Sequence, residues 1–528
     1  MGVACASKGV FALALSLTGL ALVTGCSLEP RYRAPPLPTP DRWPIPADTQ
    51  GLPPTPPAAE TLRPSAGDRA GAASPAGVAN SCGTASVGGG ATLGAALPAS
   101  AREIGWRDFF ADPRLQELIA RALKSNRDLR VAVLNVALAR AQFRVQRAAR
   151  FPEIDAGGQY TKENIPAAIS GVGVPIAESY YQATLAMPSF ELDLFGRVRS
   201  LSHAALEQYL AQVQARRSAQ LSLIAQVATA YLTLASDREL ERLAQETLAS
   251  QEDSYRLTVQ RHGAGAVSGL DVAQARTTVE AARFDVARYG GNIEQDIDTL
   301  ALLVGAPVDP SLLPQAFDGK TFGLESLPAG LPSTVLLRRP DVLQAEHTLR
   351  AEDANIGAAR AAFFPTIDLT GNFGVASTSL STLFEYGSRT WTLTPQATLP
   401  LFAGGRLTAG LSVARSQRDI AVAQYEKAIQ TAFREVADAL ALTATLARER
   451  EAQVALVDAA RRAYELSQQL YKAGRESYLS VLDSQRSYYG AQQSLIQTRL
   501  AEQDNRVTLY QVLGGGWREH SGGSGTDE

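Results

Sequence analysis

Proline is absent from two long stretches of this 528-residue chain, residues 189–306 and 401–528, although 14 of its 28 prolines lie in residues 1–100. A proline inside a helix removes a backbone hydrogen bond and clashes with the preceding turn, so very long helices are possible only where proline is missing. The two stretches therefore predict long helices. The proline-rich first hundred residues predict a different kind of structure.

Both proline-free stretches have apolar residues at helical spacing, and each has a glycine turn signal partway along it, at residues 263–265 and at Gly474. Each stretch therefore predicts a helical hairpin. A helix from Arg197 to Ser250 would be about 80 Å long at 1.5 Å per residue. Helices of that length exceed a globular core and must pack along one another as a coiled coil. The spacing is carried by Ile224, Val227, Tyr231 and Leu234, and by Ile429, Phe433, Val436 and Leu440.

The chain contains an internal duplication. Residues 128–155 align with residues 341–368 without a gap, and further along an offset of 209 residues places Leu270 on Leu479. Repeats of this kind define the architecture, so each copy is expected to hold a helix, two strands and a hairpin in that order. The opening helices are predicted over Leu115–Arg150 and Val342–Ala362.

After each opening helix the hydrophobic period changes from about 3.6 to 2, which is typical of strands. Two such runs in each copy predict four strands of about 9 to 11 residues, the length that a tilted membrane strand needs. Membrane barrels close only at about eight strands, and an open sheet edge in lipid leaves backbone groups unpaired. Several chains must therefore share one barrel. The predicted strands begin near Ile154 and Ile367 and extend over Tyr180–Phe195 and Thr390–Phe402.

The N-terminus carries an export signal. Residues 9–23 form an apolar run behind Lys8 that is too short for a permanent transmembrane helix, so residues 1–25 predict a cleaved signal peptide. The run ends in Leu22-Val23-Thr24-Gly25-Cys26, which resembles the lipobox of bacterial lipoproteins. That resemblance implies a covalent lipid on Cys26, and Ser27 after it implies transfer to the outer membrane. Residues 26–105 predict a Pro/Gly/Ala-rich tether.

The composition argues against several functions. The chain has 50 Lys and Arg against 53 Asp and Glu, and no basic cluster of the kind that nucleic acid requires. Its three cysteines and four scattered histidines have neither a disulfide framework nor metal-ligand spacing. We therefore expect no nucleic-acid partner, no metal, no cofactor besides the lipid on Cys26, and no enzymatic activity.

Short motifs spread over residues 106–517 together resemble the TolC-type outer-membrane efflux channels, in the NodT/OprM-like lipoprotein branch. The resemblance implies a mainly α fold with a small β part. It implies a long periplasmic α-helical coiled-coil barrel and an outer-membrane β-barrel with four strands per chain, shared in a homotrimer. A periplasmic adaptor, an inner-membrane RND-type pump and outer-membrane lipid are the implied partners. The motifs are Trp106–Phe110, Asn126–Leu129, Ser189–Gly196, Arg338–Val342, Tyr478–Arg486 and Leu513–Trp517.

The candidate functional site lies just beyond the Gly474 turn. Leu479, Asp483 and Arg486 are spaced i, i+4 and i+7, which places them on one face of a helix. The resemblance implies that this face closes the periplasmic mouth of the channel. Leu479 would be an apolar plug, Asp483 would form a carboxylate ring, and Arg486 would be the partner that locks the ring.

The resemblance adds Tyr471, before the turn, and Asp271, in the first hairpin, to the periplasmic gate. Each candidate has a plainer alternative. Asp271 follows Ser268 by three residues, which is the spacing of a helix cap. Tyr471 is equally typical of helix packing, and Asp483 with Arg486 could be a solvated pair worth about 0.3 kcal/mol.

Glu191 and Asp193 form another carboxylate pair, at i and i+2 of a predicted strand, about 6.7 Å apart along it. That separation overlaps the separation found in inverting glycosidases. No sugar-binding cleft accompanies the pair in the sequence, so we interpret it as structural.

The sequence therefore predicts a passive exit duct, an outer-membrane lipoprotein channel of a tripartite efflux system that exports drugs and other amphiphilic compounds. A periplasmic coiled-coil adaptor or scaffold is the alternative, but such a protein would have one hairpin and no membrane strands. The predicted domains are a signal peptide (1–25), a lipidated tether (26–105), a first channel repeat (106–320), a second channel repeat (321–517) and a flexible C-terminal tail (518–528).

Overall fold

The fold is taken from a computed structural model, which describes residues 28–40 and 104–521 except 169, 172, 318–320 and 324–332. The predicted signal peptide, Cys26 and most of the predicted tether lie outside the described residues.

The described residues form eight α-helices and four β-strands, so the prediction of a mainly α fold with a small β part is confirmed. The helices are α1 Trp106–Phe109, α2 Pro113–Ser125, α3 Arg127–Ala148, α4 Arg197–Gly263, α5 Gly269–Val304, α6 Pro340–Ala361, α7 Arg406–Lys472 and α8 Tyr478–Val512. The strands are β1 Asp155–Ile165, β2 Ile176–Glu191, β3 Thr366–Ser377 and β4 Arg389–Thr398.

The duplication governs the helical part. Helices α4 and α7 have 67 residues each, and both their first and their last residues are related by the same offset of 209. At 1.5 Å per residue each is about 100 Å long, longer than the predicted segment that ended at Ser250. Helix α4 returns through α5, and α7 returns through α8, which gives two antiparallel hairpins.

Helix α4 contains an apolar window of 18 residues that could cross a membrane by length and composition alone. That window is 61% buried within the chain, and helix α4 as a whole contacts α3, α5 and α6 among others. Its apolar residues therefore form the core of the helical part, as in a soluble coiled coil.

The first copy's opening helix is not continuous, contrary to the prediction for Leu115–Arg150. Asn126 ends α2 and caps α3, because its side chain accepts a hydrogen bond from the Leu129 amide at 2.8 Å. Its side-chain amide also donates to the Leu303 carbonyl at 2.8 Å, and the residue is buried. An N-cap asparagine held by α5 thus divides the helix.

The four strands form one antiparallel sheet in the order β1-β2-β3-β4. Strand β2 is displaced from its predicted range, since it begins at Ile176 and ends at Glu191. The register between β2 and β3 shifts between Met187 and Phe190. Pro188 lies at this irregularity, where its missing N–H does not interrupt a regular ladder.

Strands β2 and β4 also end earlier than predicted. After β2, both Asp193 carboxylate oxygens accept backbone N–H groups of α4, from Val198 at 3.1 Å and from Arg199 at 2.7 Å. Gly196 makes the turn with φ 76°, a conformation that favours glycine. Strand β2 therefore ends before Phe195, because Asp193 caps the helix that follows. Strand β4 ends at Thr398, ahead of Pro400.

An aromatic cluster joins the start of the first copy to the end of the second. The Phe109 ring stacks on the Tyr510 ring at 3.9 Å, and the Tyr510 hydroxyl donates to the Ile104 carbonyl at 2.8 Å. The Trp106 amide donates to the Arg518 carbonyl at 3.0 Å. Residues 518–521, predicted to begin a flexible tail, are therefore hydrogen-bonded to the first helix.

Residues 28–40, predicted to belong to the tether, lie along the helices. The Tyr32 hydroxyl donates to Glu346 at 3.0 Å, and the Tyr32 ring lies 4.6 Å from the Arg350 guanidinium. Arg360 donates to the Leu28 carbonyl at 3.1 Å. These contacts fix the described beginning of the chain beside α4 and α6, close to the sheet.

Candidate functional site

The two hairpin turns have the same backbone geometry. In the first, the Ala264, Gly265 and Ala266 amides donate to carbonyls of the last turn of α4, and Gly265 has φ 71°. In the second, the amides of residues 473–475 donate in the same pattern to α7, and Gly474 has φ 69°. Left-handed glycine caps therefore place the helices that follow, α5 and α8, at equivalent positions.

Asp271 has the capping role that its spacing allows. The Ser268 hydroxyl accepts from the Asp271 amide at 3.2 Å, and the Asp271 carboxylate accepts from the Ser268 amide at 2.9 Å. The two residues form a capping box at the start of α5. The carboxylate also lies near the positive end of the helix dipole.

Tyr471 packs between the two hairpins. Its ring lies 5.4 Å from the Tyr478 ring and 5.6 Å from the Arg261 guanidinium of α4. It belongs to a small apolar cluster at the tips, with Ala275 and Leu482 among its buried members. The packing interpretation of Tyr471 therefore describes its contacts within one chain.

Leu479, Asp483 and Arg486 lie on α8 beyond this cluster, and all three are exposed, Leu479 by 59%. Within the chain Asp483 forms no ion pair with Arg486, although both residues are described. The structure therefore brings the three onto one exposed face of the tip but does not join them. Among the described residues, neither Asp483 nor Arg486 has an ion-pair partner.

Arg486 also borders a cavity of about 100 Å³ between the hairpins. Asp285 lies on the same cavity, but its carboxylate is already engaged by the Tyr489 hydroxyl at 3.0 Å and by Arg288 at 3.0 Å. Burial of the ring, together with this carboxylate, raises the pKa of Tyr489, so Tyr489 stays a neutral donor. The Asp285 carboxylate at this cavity is thus paired with Arg288 and does not need Arg486 as a partner.

Leu270 was not among the predicted gate residues. It is 66% exposed at the start of α5, at the position equivalent to Leu479 under the offset of 209. The alignment of the two copies identifies Leu270, because it places this residue on Leu479. Each tip therefore presents one exposed leucine in the first turn of its returning helix.

The other end of the chain presents an amphipathic sheet. Leu185, Phe373 and Trp391 are neighbours in register across β2, β3 and β4, and each is more than half exposed. One residue along, the Thr392 hydroxyl donates to the Asn372 side chain at 2.7 Å, on the opposite face. An apolar face and a polar face on one sheet are typical of a membrane barrel around water.

Glu191 and Asp193 are separated by their partners. Glu191 forms a two-atom ion pair with Arg197, while Asp193 caps α4. Each carboxylate is thus used to fix the passage from sheet to helix. In the described part of the chain, no group of three or more His, Cys, Asp or Glu side chains is placed to hold a metal ion.

The chain matches the family model described as outer membrane efflux protein over residues 118–306 and 331–515. It is 44% identical over 510 residues to the antibiotic efflux pump outer membrane protein ArpC of Pseudomonas putida, covering 97% of this chain and 96% of that protein. The toluene efflux pump outer membrane protein TtgC of the same species is also 44% identical, with the same coverage.

The structure resembles the open-state MtrE outer membrane channel of Neisseria gonorrhoeae, with a TM-score of 0.77 and 35% identity over 94% of this chain and 100% of that one. These similarities confirm the predicted family, the channel fold and the outer-membrane location, and they indicate a transport role. The chain therefore belongs to the outer membrane efflux protein family.

Proposed function

We propose that this protein is the outer-membrane exit duct of a tripartite efflux system. The observation that carries the proposal is the combination, in one chain, of an amphipathic four-stranded sheet and two hairpins about 100 Å long. The sheet provides a passage through the outer membrane, and the hairpins extend that passage into the periplasm. The alternative, a periplasmic adaptor, is disfavoured because an adaptor needs neither the sheet nor the second hairpin.

We propose that identical chains form a ring. The contacts that close the ring between neighbouring chains are equivalent to those that join the two copies within one chain. Within the chain the first copy meets the second through β2 beside β3 and through α4 beside α6. The equivalent contacts at the free edges join β4 to β1, and α7 to α3, of a neighbouring copy. Such closure pairs the backbone groups of the edge strands, which lipid cannot satisfy.

The exposed faces of α3 and α7 fit this closure. Val131, Leu134, Leu138 and Val145 lie on one face of α3, and each is more than half exposed. On α7, Val413 and Ile420 are seven residues apart and also more than half exposed. Burial of these stripes against one another is worth about 25 cal/mol per Å² of apolar surface. Three copies give twelve strands, enough for a closed barrel.

The tips of the hairpins are proposed as the periplasmic gate. In a ring, the exposed faces around Leu479 and Leu270 converge, and Asp483 of one copy meets Arg486 of the next. Three carboxylates about 7 Å apart in water repel by only about 0.6 kcal/mol per pair. Closure therefore depends on leucine packing and on hydrogen bonds between aspartate and arginine, while the carboxylates favour cations.

The proposed partners and exported compounds are inferred from the family to which the chain belongs. We propose a periplasmic adaptor at the hairpin tips and an inner-membrane pump of the RND class behind it. ArpC and TtgC are named for the efflux of antibiotics and of toluene, so amphiphilic and apolar compounds are the proposed cargo. We also propose a lipid on Cys26 that anchors the chain, and a passive duct without catalytic activity.

Deletion of the gene tests the proposal. Cells that lack it should accumulate several antibiotics, dyes or toluene, and the unchanged gene should restore their efflux. A gene in which Leu138 is replaced by asparagine should fail to restore it, because the ring would not close. No change in accumulation for any compound would contradict the exporter role.

A further inference from the structure

An open cavity of about 460 Å³ lies between the end of α3 and the beginning of α4. Arg147, Arg150 and Arg199 line it, together with the ion pair of His203 with Glu29. Neither α3 nor α4 contributes a carboxylate to its lining, and Glu29 is the only acidic residue among its described lining residues. The cavity is therefore strongly basic.

Glu29 does not neutralise these arginines by itself. The His203 imidazole lies 3.1 Å from Glu29 and 3.5 Å from Glu207, and these two carboxylates raise the pKa of His203 to about 10. The histidine is therefore a cation at neutral pH and offsets the charge of Glu29, while Glu207 is also paired with His347 at 2.7 Å. Among the described residues, Arg147 and Arg150 form no ion pair, and both are exposed. Two exposed guanidinium groups are thus available to a ligand with negative charge.

The cavity lies where the helices meet the membrane part. Arg150 precedes β1 by five residues, and Arg199 lies in the first turn of α4, which follows β2. Phe151 and Ile154, between Arg150 and the strand, are 66% and 69% exposed. Apolar side chains on the membrane side and arginines behind them are the pattern of a membrane interface, where lipid phosphates lie.

The cavity faces away from the proposed contact between copies. Phe143 and Arg147 lie one turn apart on α3 and both line the cavity. Leu138 and Val145, of the exposed apolar stripe, lie on the opposite side of that helix. A neighbouring copy that covers the stripe would leave the walls of the cavity within one chain.

We propose that this basic cavity binds the phosphate headgroup of an anionic phospholipid from the periplasmic leaflet of the outer membrane. The planar guanidinium groups of Arg147 and Arg150 match the phosphate oxygens with paired hydrogen bonds. The acyl chains lie against the apolar surface at Phe151 and Ile154. The lipid joins α3 to α4 at the base of the sheet, and it is distinct from the covalent lipid on Cys26.

Native mass spectrometry of the full-length protein in detergent, titrated with phosphatidylglycerol or phosphatidylcholine, tests this site. The unchanged protein should bind phosphatidylglycerol more tightly. Replacing both arginines, Arg147→Gln with Arg150→Gln, should weaken that binding by roughly 25-fold, since each basic residue near an anionic surface contributes about fivefold. Lysine at both positions should restore part of the affinity. It keeps the positive charge but cannot form the paired hydrogen bonds of a guanidinium group.

The matched control is Arg448→Gln with Arg462→Gln, which makes the same charge change on exposed residues of α7 in the periplasmic hairpin. It should leave lipid binding unchanged. Equal binding of phosphatidylglycerol by the cavity variant and the control would overturn the proposal, as would equal affinity for the two lipids. Displacement of the lipid by an equal concentration of inorganic phosphate would assign the cavity to a soluble anion and overturn it as well.

Discussion

Gly265 and Gly474 adopt almost the same left-handed backbone conformation, with φ 71° and 69°, at turns that lie 209 residues apart. Each ends a helix of 67 residues, and each is followed by a helix that begins at the same relative position. The duplication is therefore preserved at the level of single hydrogen bonds in the tips. Both hairpins end at one level, which a shared opening requires.

The turn glycines should be more sensitive to substitution than helical ones. Gly474→Ala forces a side chain into a positive φ, so we expect a loss of about 1 kcal/mol in the free energy of unfolding. Gly490→Ala is the matched control, because Gly490 lies inside α8 with open space around its Cα. That change should stabilise the protein by up to about 1 kcal/mol. Thermal unfolding in detergent measures both, and equal shifts would contradict the assignment of the turn.

Replacing Asp483 and Arg486 with alanine should raise single-channel conductance in planar bilayers. The change removes the proposed contacts between copies at the tip, where neither residue has an ion pair with any described residue of its own chain. Asp458→Ala with Arg461→Ala is the control, since these residues have the same spacing and form an exposed pair at 3.3 Å farther along α7. An unchanged conductance in the tip variant would remove both residues from the gate.

The proposed contact between copies can be tested on α3. Leu138 is 57% exposed in the apolar stripe, and Leu138→Asn should weaken the ring by about 1 to 3 kcal/mol per contact. Arg140→Asn changes an exposed residue on the opposite side of the same helix and should leave the assembly intact. Light scattering of the protein in detergent measures the mass of the assembly. Equal masses for the two variants would argue against α3 as an interface.

Asp296 gives a prediction for pH. Its Oδ2 atom is buried and accepts no hydrogen bond from the part of the chain that the structure describes, and burial together with the charge of Asp237 raises its pKa from 3.8 to about 6. As pH rises, the Asp296 carboxyl loses its proton in the unfolded chain before it does so in the folded chain. The free energy of unfolding therefore falls as pH rises from about 4 through 6. Asp296→Asn should therefore stabilise the protein at pH 8 by roughly 1 to 2 kcal/mol and leave it unchanged at pH 4.

Thermal unfolding at the two pH values measures this effect. Asp298→Asn alters an exposed carboxylate on the same helix and is the control, with no expected change at either pH. A stabilisation by Asp296→Asn that is as large at pH 4 as at pH 8 would contradict the electrostatic cause.

The helical part of the fold could be predicted because long proline-free stretches and a repeated alignment constrain it strongly. The offset of 209 relates both ends of α4 to those of α7, although α4 extends past Ser250, where the predicted segment ended. The break at Asn126 was missed, because an asparagine within a helical pattern becomes a cap only when a partner such as the Leu303 carbonyl is brought to it. The strand ends were missed for a similar reason, since Asp193 is used by the helix that follows.

The positions of the candidate gate residues could be predicted only in part, and their gate role stays a prediction. Helical spacing places Leu479, Asp483 and Arg486 on one face, and the structure exposes that face. The capping of Asp271 by Ser268 was predictable from spacing alone, because the contact is local. The packing of Tyr471 against Arg261 needed the fold, because these two residues are far apart in the sequence.

The central claim is that four strands cannot enclose a pore and that neighbouring copies complete it. The most direct test is to measure the mass of the purified protein in detergent and the ion conductance of the same fractions in planar bilayers. We predict that only a species with the mass of three chains conducts. A fraction that is monomeric by mass and already conducts ions would contradict the account.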